Sequence, residues 1–115
     1  AIQGCPPELM GLGPINASKK ALKRANIEIK DIDIVELNEA FASQSIACIK
    51  ELKINPEIVN IEGGAIALGH PLGATGTRIT AKAASLMNKH NKKYALATQC
   101  IGLGQGIATV LERVE

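Results

Sequence analysis

The segment Glu62-Gly-Gly-Ala-Ile-Ala-Leu-Gly-His-Pro-Leu-Gly-Ala-Thr-Gly76 limits the fold more than any other part of the chain. Its glycines, Gly63, Gly64, Gly69, Gly73 and Gly76, let backbone pass close to other backbone or to a ligand. On its N-terminal side Ile58 to Ile61 is β-branched and reads as a strand. On its C-terminal side Thr77 to about Asn88 carries Ile79, Ala83, Leu86 and Met87 at helical spacing. A strand feeding a glycine-rich loop that opens into a helix is an α/β unit. The loop is not a P-loop, because no Lys follows Gly69, and its glycines lack the G-x-G-x-x-G spacing of a dinucleotide fingerprint.

The remaining segments extend the same pattern. Residues 1 to 14 hold a short strand-like start, then a stretch punctuated by Pro6, Pro7, Gly11, Gly13 and Pro14, as if the chain began just inside a larger protein. Asn16 to Ala25 reads as an amphipathic helix on Ala17, Ala21, Leu22 and Ala25, with Asn26 as its left-handed terminator. Ile34 to Leu37 reads as a strand, and about Ala40 to Lys53 as a helix with the buried stripe Ala42, Ile46, Ile49 and Leu52. Tyr94 to Cys100 and Ile107 to Arg113 read as two strands around the turn Ile101 to Gly106. The expected fold class is α/β: a mixed sheet with helices packed on it, closing on an antiparallel hairpin.

At 115 residues the chain is one domain, 1-115, and its net charge of +2 generates no field suited to nucleic acid or an anionic membrane surface. No apolar stretch reaches the length of a membrane span, and the chain is expected to be soluble and cytoplasmic. Cys5, Cys48 and Cys100 are odd in number and lack C-x-x-C spacing, which argues against a disulfide framework or a zinc site. With Phe41 and Tyr94 as the only aromatics, the core must come from aliphatic residues and alanine, so elements should approach one another closely.

Three polar positions fall where strands end or turn, the places at which α/β folds collect ligands: Asn38, His70 and Cys100. His70, stiffened by Pro71, can act as a base or hydrogen-bond donor, or simply satisfy a carbonyl in a tight crossover. Cys100 precedes Gly102, Gly104 and Gly106, so its thiol lies either beside backbone amides that can hold an oxyanion or buried and inert. A working Cys100 needs a proton partner, and His70 suits that role better than His90 in the polar turn after the third helix. Asn38 has two readings of equal weight: N-cap of the following helix, or an amide that holds a water at the rim of a site.

Asn38-Glu-Ala-Phe-Ala42, the Gly63 to Gly76 run, and Cys100-Ile-Gly-Leu-Gly-Gln-Gly106, in that order, closely resemble the C-terminal half of the thiolase family, and Met10-Gly-Leu-Gly-Pro14 resembles its pattern as well. The resemblance implies a thiolase-like half and ping-pong acyl transfer between coenzyme A thioesters. It implies that His70 activates a nucleophilic cysteine and shares an oxyanion hole with a water on Asn38. Cys100 would move a proton to or from the substrate α-carbon, and the Gly102 N-H would join a second oxyanion hole. Met10, Ala40 and Phe41 would line the path of the pantetheine arm. No tightly bound cofactor is expected; a coenzyme A thioester is the expected substrate.

In the family the acyl-accepting cysteine comes from the N-terminal half, and no segment here resembles its surroundings. The chain alone is therefore expected to lack covalent catalysis. Its expected partners are an acyl-CoA substrate and a thiolase N-terminal half, together with self-association into a homo-oligomer. Leu103 stands where thiolases usually carry glycine, which bears on the turn after Cys100. The competing reading is a non-catalytic thiolase-like module that binds a partner or lipid.

Overall fold

The computed structural model describes residues 1–114. It contains β1 (Ile2–Gly4), α1 (Gly13–Ala25), β2 (Ile34–Leu37), α2 (Ala42–Leu52), α3 (Ala65–Leu68), α4 (Leu72–Lys89), β3 (Tyr94–Ile101) and β4 (Gln105–Glu112). The strands form one mixed sheet in the order β1-β4-β3-β2, with β2 parallel to β3 and the other pairings antiparallel. The expected α/β architecture, ending in an antiparallel hairpin, is what the chain adopts.

Adjacent residues of the central strands point to opposite faces and so divide the core in two. Val35, Leu37, Leu96 and Ala108 pack with α1 and α2 through Ile15, Ala17, Leu22, Cys48 and Leu52. Ile34 and Ala95 pack on the other face with Ala83, Leu86 and Met87 of α4. Because β2 is covered on both sides, all four of its residues are buried, including the carboxyl of Glu36.

The close approach expected from the small side chains is clearest where α1 begins. A Cβ on Gly106 of β4 would lie 2.1 Å from the carbonyl carbon and oxygen of Gly13. Backbone meets backbone there, and no side chain fits. Pro14 follows in the first turn of α1, where its missing N-H costs nothing. At the other end Asn26, at φ 56°, closes the helix in the left-handed conformation.

The structure corrects several boundaries, among them the start of α1 at Gly13 rather than Asn16 and of β4 at Gln105 rather than Ile107. Ile58 to Ile61 is not a strand: Pro56–Ile58 forms a 3₁₀ turn, only Val59 bridges to Val35, and Asn60 is left-handed at φ 47°. The amide side chain of Asn60 replaces the missing ladder, its Oδ1 accepting from Leu37 N at 2.9 Å and its Nδ2 donating to Leu37 O at 2.8 Å. The glycine-rich run is partly helical, since it contains α3 and α4 begins at Leu72 rather than Thr77. Finally, α2 starts at Ala42, and its buried face is Gln44, Ser45, Cys48 and Leu52, whereas Ile46 is exposed. Gly11 sets that rotation, because its main chain lies against the Gln44 side chain and its carbonyl faces the Cys48 thiol at 3.5 Å.

Candidate active site

Met10, Ala40, His70, Cys100 and Gly102 line one cleft of about 390 Å³, closed by Leu72, Gln99 and Ile101. It draws on four separate parts of the chain: the turn before α1, the end of β2, the glycine-rich loop and the β3–β4 hairpin. A larger hollow of about 610 Å³ lies among Lys19, Lys23, Glu51 and Lys53 of α1 and α2. Its other lining residues are Leu22, Ile27, Glu28, Ile29 and Leu52, with no cysteine or histidine among them, so chemistry rather than size singles out the smaller cleft.

Cys100 is half-buried on β3 opposite Gly106, one residue before the strand ends. Burial pushes its thiol up from the ordinary value, and the neighbouring Cys5 thiol adds to the shift. The group therefore keeps its proton near neutral pH, which suits a thiol that hands a proton over rather than one standing as a thiolate. Beyond it, Gln105 Nε2 donates to Gly102 O at 2.9 Å and ties the turn together. Leu103 takes the left-handed conformation at φ 62°.

His70 is exposed at the rim, on the loop between α3 and α4. Its Nδ1 lies 2.7 Å from the hydroxyl of Thr75, a fully buried residue in the first turns of α4, and that hydroxyl donates to Pro71 O at 3.0 Å. Neither Thr75 nor Gln99 was a candidate on sequence grounds. Thr75 was legible only as a hydroxyl five residues after a loop histidine, a spacing the helix start brings within reach.

Asn38 does not line the cleft surface and does not cap α2. Phe41 holds the N-cap position, with no side-chain cap bond. The Asn38 main chain donates to Thr98 O at 3.0 Å, while its side chain, wholly buried, has no protein partner for either Oδ1 or Nδ2. Buried amides are almost always paired, and these two atoms are open to a partner that the protein atoms do not supply. The cap reading of Asn38 is therefore excluded. Phe41 is 71% exposed and, like Asn38, lies outside the cleft lining.

Glu39 braces the loop that carries His70. Its Oε2 accepts from Ile66 N at 2.9 Å at the start of α3, and its Oε1 accepts from Asn60 Nδ2 at 3.2 Å. Glu62 adds a second brace through ion pairs with Lys82 and Lys89 of α4, which hold its carboxyl down at about 2. Among the described residues no three His, Cys, Asp or Glu side chains are grouped as a metal site would require, and no helix is long and apolar enough to cross a membrane.

Residues 1–113 match the family model described as the C-terminal domain of thiolase. The chain belongs to the thiolase family. A 3-ketoacyl-CoA thiolase of Vibrio parahaemolyticus is 60% identical over 98% of the chain, and one of Serratia proteamaculans is 56% identical over 99%. In each case the chain spans 30% of the relative's length. The solved structure of human mitochondrial 3-ketoacyl-CoA thiolase superimposes with a TM-score of 0.96 at 47% identity over 98% of the chain, which spans 29% of the human chain. A second structure of the human enzyme, in complex with CoA, gives a TM-score of 0.97 at 46% identity over 99% of the chain and 29% of its own. The fold is the thiolase fold, and the cleft lies in a thiolase C-terminal domain.

Proposed function

We propose that this domain forms one wall of an active site for acyl transfer between coenzyme A thioesters, working on 3-ketoacyl-CoA together with the N-terminal part of a thiolase. The observation that carries the reading is the convergence of an imidazole, a thiol and the Gly102 turn on one cleft, with the orphaned amide of Asn38 two residues before Ala40 of its lining. In thiolysis, a cysteine thiol from the N-terminal part gives its proton to His70 and attacks the 3-keto carbon. The bond between the α and β carbons breaks, and the electron pair left on the α-carbon takes the Cys100 proton, releasing acetyl-CoA. Free CoA then gives its proton to Cys100 and attacks the enzyme-bound thioester; the bond from the acyl carbon to the N-terminal cysteine sulfur breaks, releasing the shortened acyl-CoA, and that sulfur takes back the proton held on His70.

Negative charge accumulates on the thioester oxygen as that bond breaks. His70 and a water held by Asn38 stabilise it there, and the Gly102 N-H stabilises the charge that forms earlier on the 3-keto oxygen when the thiol attacks. Met10 and Ala40 line the approach for the pantetheine arm. Phe41, Ile66, Leu68 and Leu72 form exposed apolar surface for the N-terminal part to cover, and alone the chain is expected to self-associate through it. The acyl-CoA enters as substrate, with no tightly bound cofactor in the scheme.

The test is loss of acetoacetyl-CoA on addition of CoA, with this chain alone and mixed with the N-terminal part of a 3-ketoacyl-CoA thiolase. Activity is expected only in the mixture, and His70→Ala or Cys100→Ala should abolish it. Turnover by the chain alone, or association of the two parts without turnover, refutes the reading.

A further inference from the structure

We infer that Thr75 is a positioning residue that keeps the His70 proton on Nδ1, leaving Nε2 as the free base. Its purpose rests on the function proposed above; its geometry does not. Thr75 Oγ1 lies 3.0 Å from Pro71 O, four residues earlier, and 2.7 Å from His70 Nδ1. A hydroxyl carries one proton, and here it goes to the carbonyl in the back-bonded arrangement that threonine adopts within helices. Toward the imidazole it therefore offers lone pairs alone. A neutral ring has one N-H, so that N-H must be on Nδ1.

The same bond survives protonation, because a charged imidazole donates from both nitrogens. Nε2 can then take the thiol proton and present it to the thioester oxygen without the ring turning. That reconciles the two duties assigned to His70, base and oxyanion donor, in one fixed orientation. Thr75 is suited to the task because it is 0% exposed, so water does not compete for its hydroxyl.

The opposite arrangement is chemically defined. Pro71 O already receives the Ala74 and Thr75 amides, both at 2.9 Å, so a hydroxyl turned toward Nδ1 would put the ring proton on Nε2. Long-range proton to nitrogen-15 correlation of the imidazoles distinguishes the two. The chain contains only His70 and His90, so His70→Ala assigns the spectrum and the exposed His90 is an internal reference. Above the range in which unperturbed histidine titrates, His70 is expected to show a protonated Nδ1 and a bare Nε2. Thr75→Ser should keep that pattern, and Thr75→Val should shift it toward the His90 pattern. In the reconstituted enzyme Thr75→Val should lower kcat about tenfold with little change in KM, and Thr75→Ser should recover it. A wild-type His70 protonated on Nε2, or a Thr75→Val spectrum identical to wild type, overturns the inference. The wild-type spectrum decides even if the valine variant does not fold, and it needs no activity, so failed reconstitution counts against the proposed function alone.

Discussion

The two sides of the cleft are held in place by different means. Cys100 sits inside the β3–β4 ladder, flanked by the pairs Gln99 with Ile107 and Ile101 with Gln105, and Asn38 is tied through its main chain to Thr98. Behind them Gly13 and Gly106 press main chain against main chain. His70 stands on a loop in which Gly63 and Gly69 take positive φ and a Cβ on Gly63, Gly69 or Gly73 would meet nothing. Side chains hold that loop: Glu39 on Ile66, Thr75 on His70, and Glu62 on Lys82 and Lys89. Substitutions on the sheet side should therefore cost folding, whereas those on the loop side should disturb the site while leaving the fold intact.

The sharpest way to break that contrast is to add one methyl group on each side. Gly106→Ala drives its Cβ into the Gly13 carbonyl, and backbone cannot step aside as a side chain would. The expected loss is more than about 3 kcal/mol in urea unfolding. Gly73→Ala, in the first turn of α4 with open space around it, should gain about 0.5 kcal/mol from helix propensity. If the two variants unfold alike, the division between a backbone-built wall and a side-chain-built wall is wrong.

Asn60 links the two sides, and its removal should cost about 2 kcal/mol. Its side chain serves both main-chain groups of Leu37, next to Asn38, and also reaches Glu39, which braces α3. Asn60→Ala leaves those groups partly unpaired and puts alanine at φ 47°, a conformation asparagine tolerates better. The Leu37 amide should lose hydrogen-exchange protection while amides in the middle of β3 keep theirs. Equal loss throughout the sheet would mean that Asn60 supports the fold rather than this edge.

What the sequence foretold follows from the range of the interactions concerned. Asn26 was legible as a helix end because a left-handed cap is a local event, and the hairpin because strand patterning on both sides of a glycine turn is local too. The Ile58 to Ile61 segment misled because its β-branched residues do favour extended backbone. A side-chain amide pairing with Leu37, 23 residues away, took the place of the ladder. The start of α4 at Leu72 was hidden for a similar reason: Gly73 and Gly76 are poor helix formers, and the buried Thr75 belongs to contacts that propensity does not record. His70, Cys100 and Asn38 could be picked out as chemistry at strand ends and loops. Gln99, Thr75 and the burial of Glu36 required the packing.

Glu36 is a cost built into the sheet side. It is 1% exposed on β2, and burial raises its carboxyl from 4.5 to about 7; Arg78 and Lys82 oppose the shift, while Glu39 and Glu62 add to it. Because the folded value is the higher one, the stabilising contribution is complete below pH 4.5 and is lost as pH rises through about 7. Glu36→Gln should flatten that decline and raise stability above pH 7 by about 2 kcal/mol. Thermal unfolding from pH 4 to pH 8, on roughly the scale over which a carboxyl shifted this far would titrate, measures the slope. An unchanged slope in the variant would place the titrating group elsewhere.

The smallest effect expected is at Leu103, where the sheet side ends in a turn. Its side chain is 91% exposed and contributes no burial, so the balance rests on backbone conformation alone. Holding a leucine at φ 62° costs about 1 kcal/mol, and glycine removes that strain while making the unfolded chain more flexible by a somewhat smaller amount. Leu103→Gly should therefore stabilise the chain by a few tenths of a kcal/mol, a small rise in midpoint that replicate urea titrations can resolve. A fall instead would mean that the leucine stiffens the turn more than it strains it. Because Gly102 is the adjacent residue, the same variant reports on the site: if reconstituted turnover is unchanged while stability rises, the ladder at Ile101 and Gln105 sets the Gly102 geometry, and the tip of the turn does not.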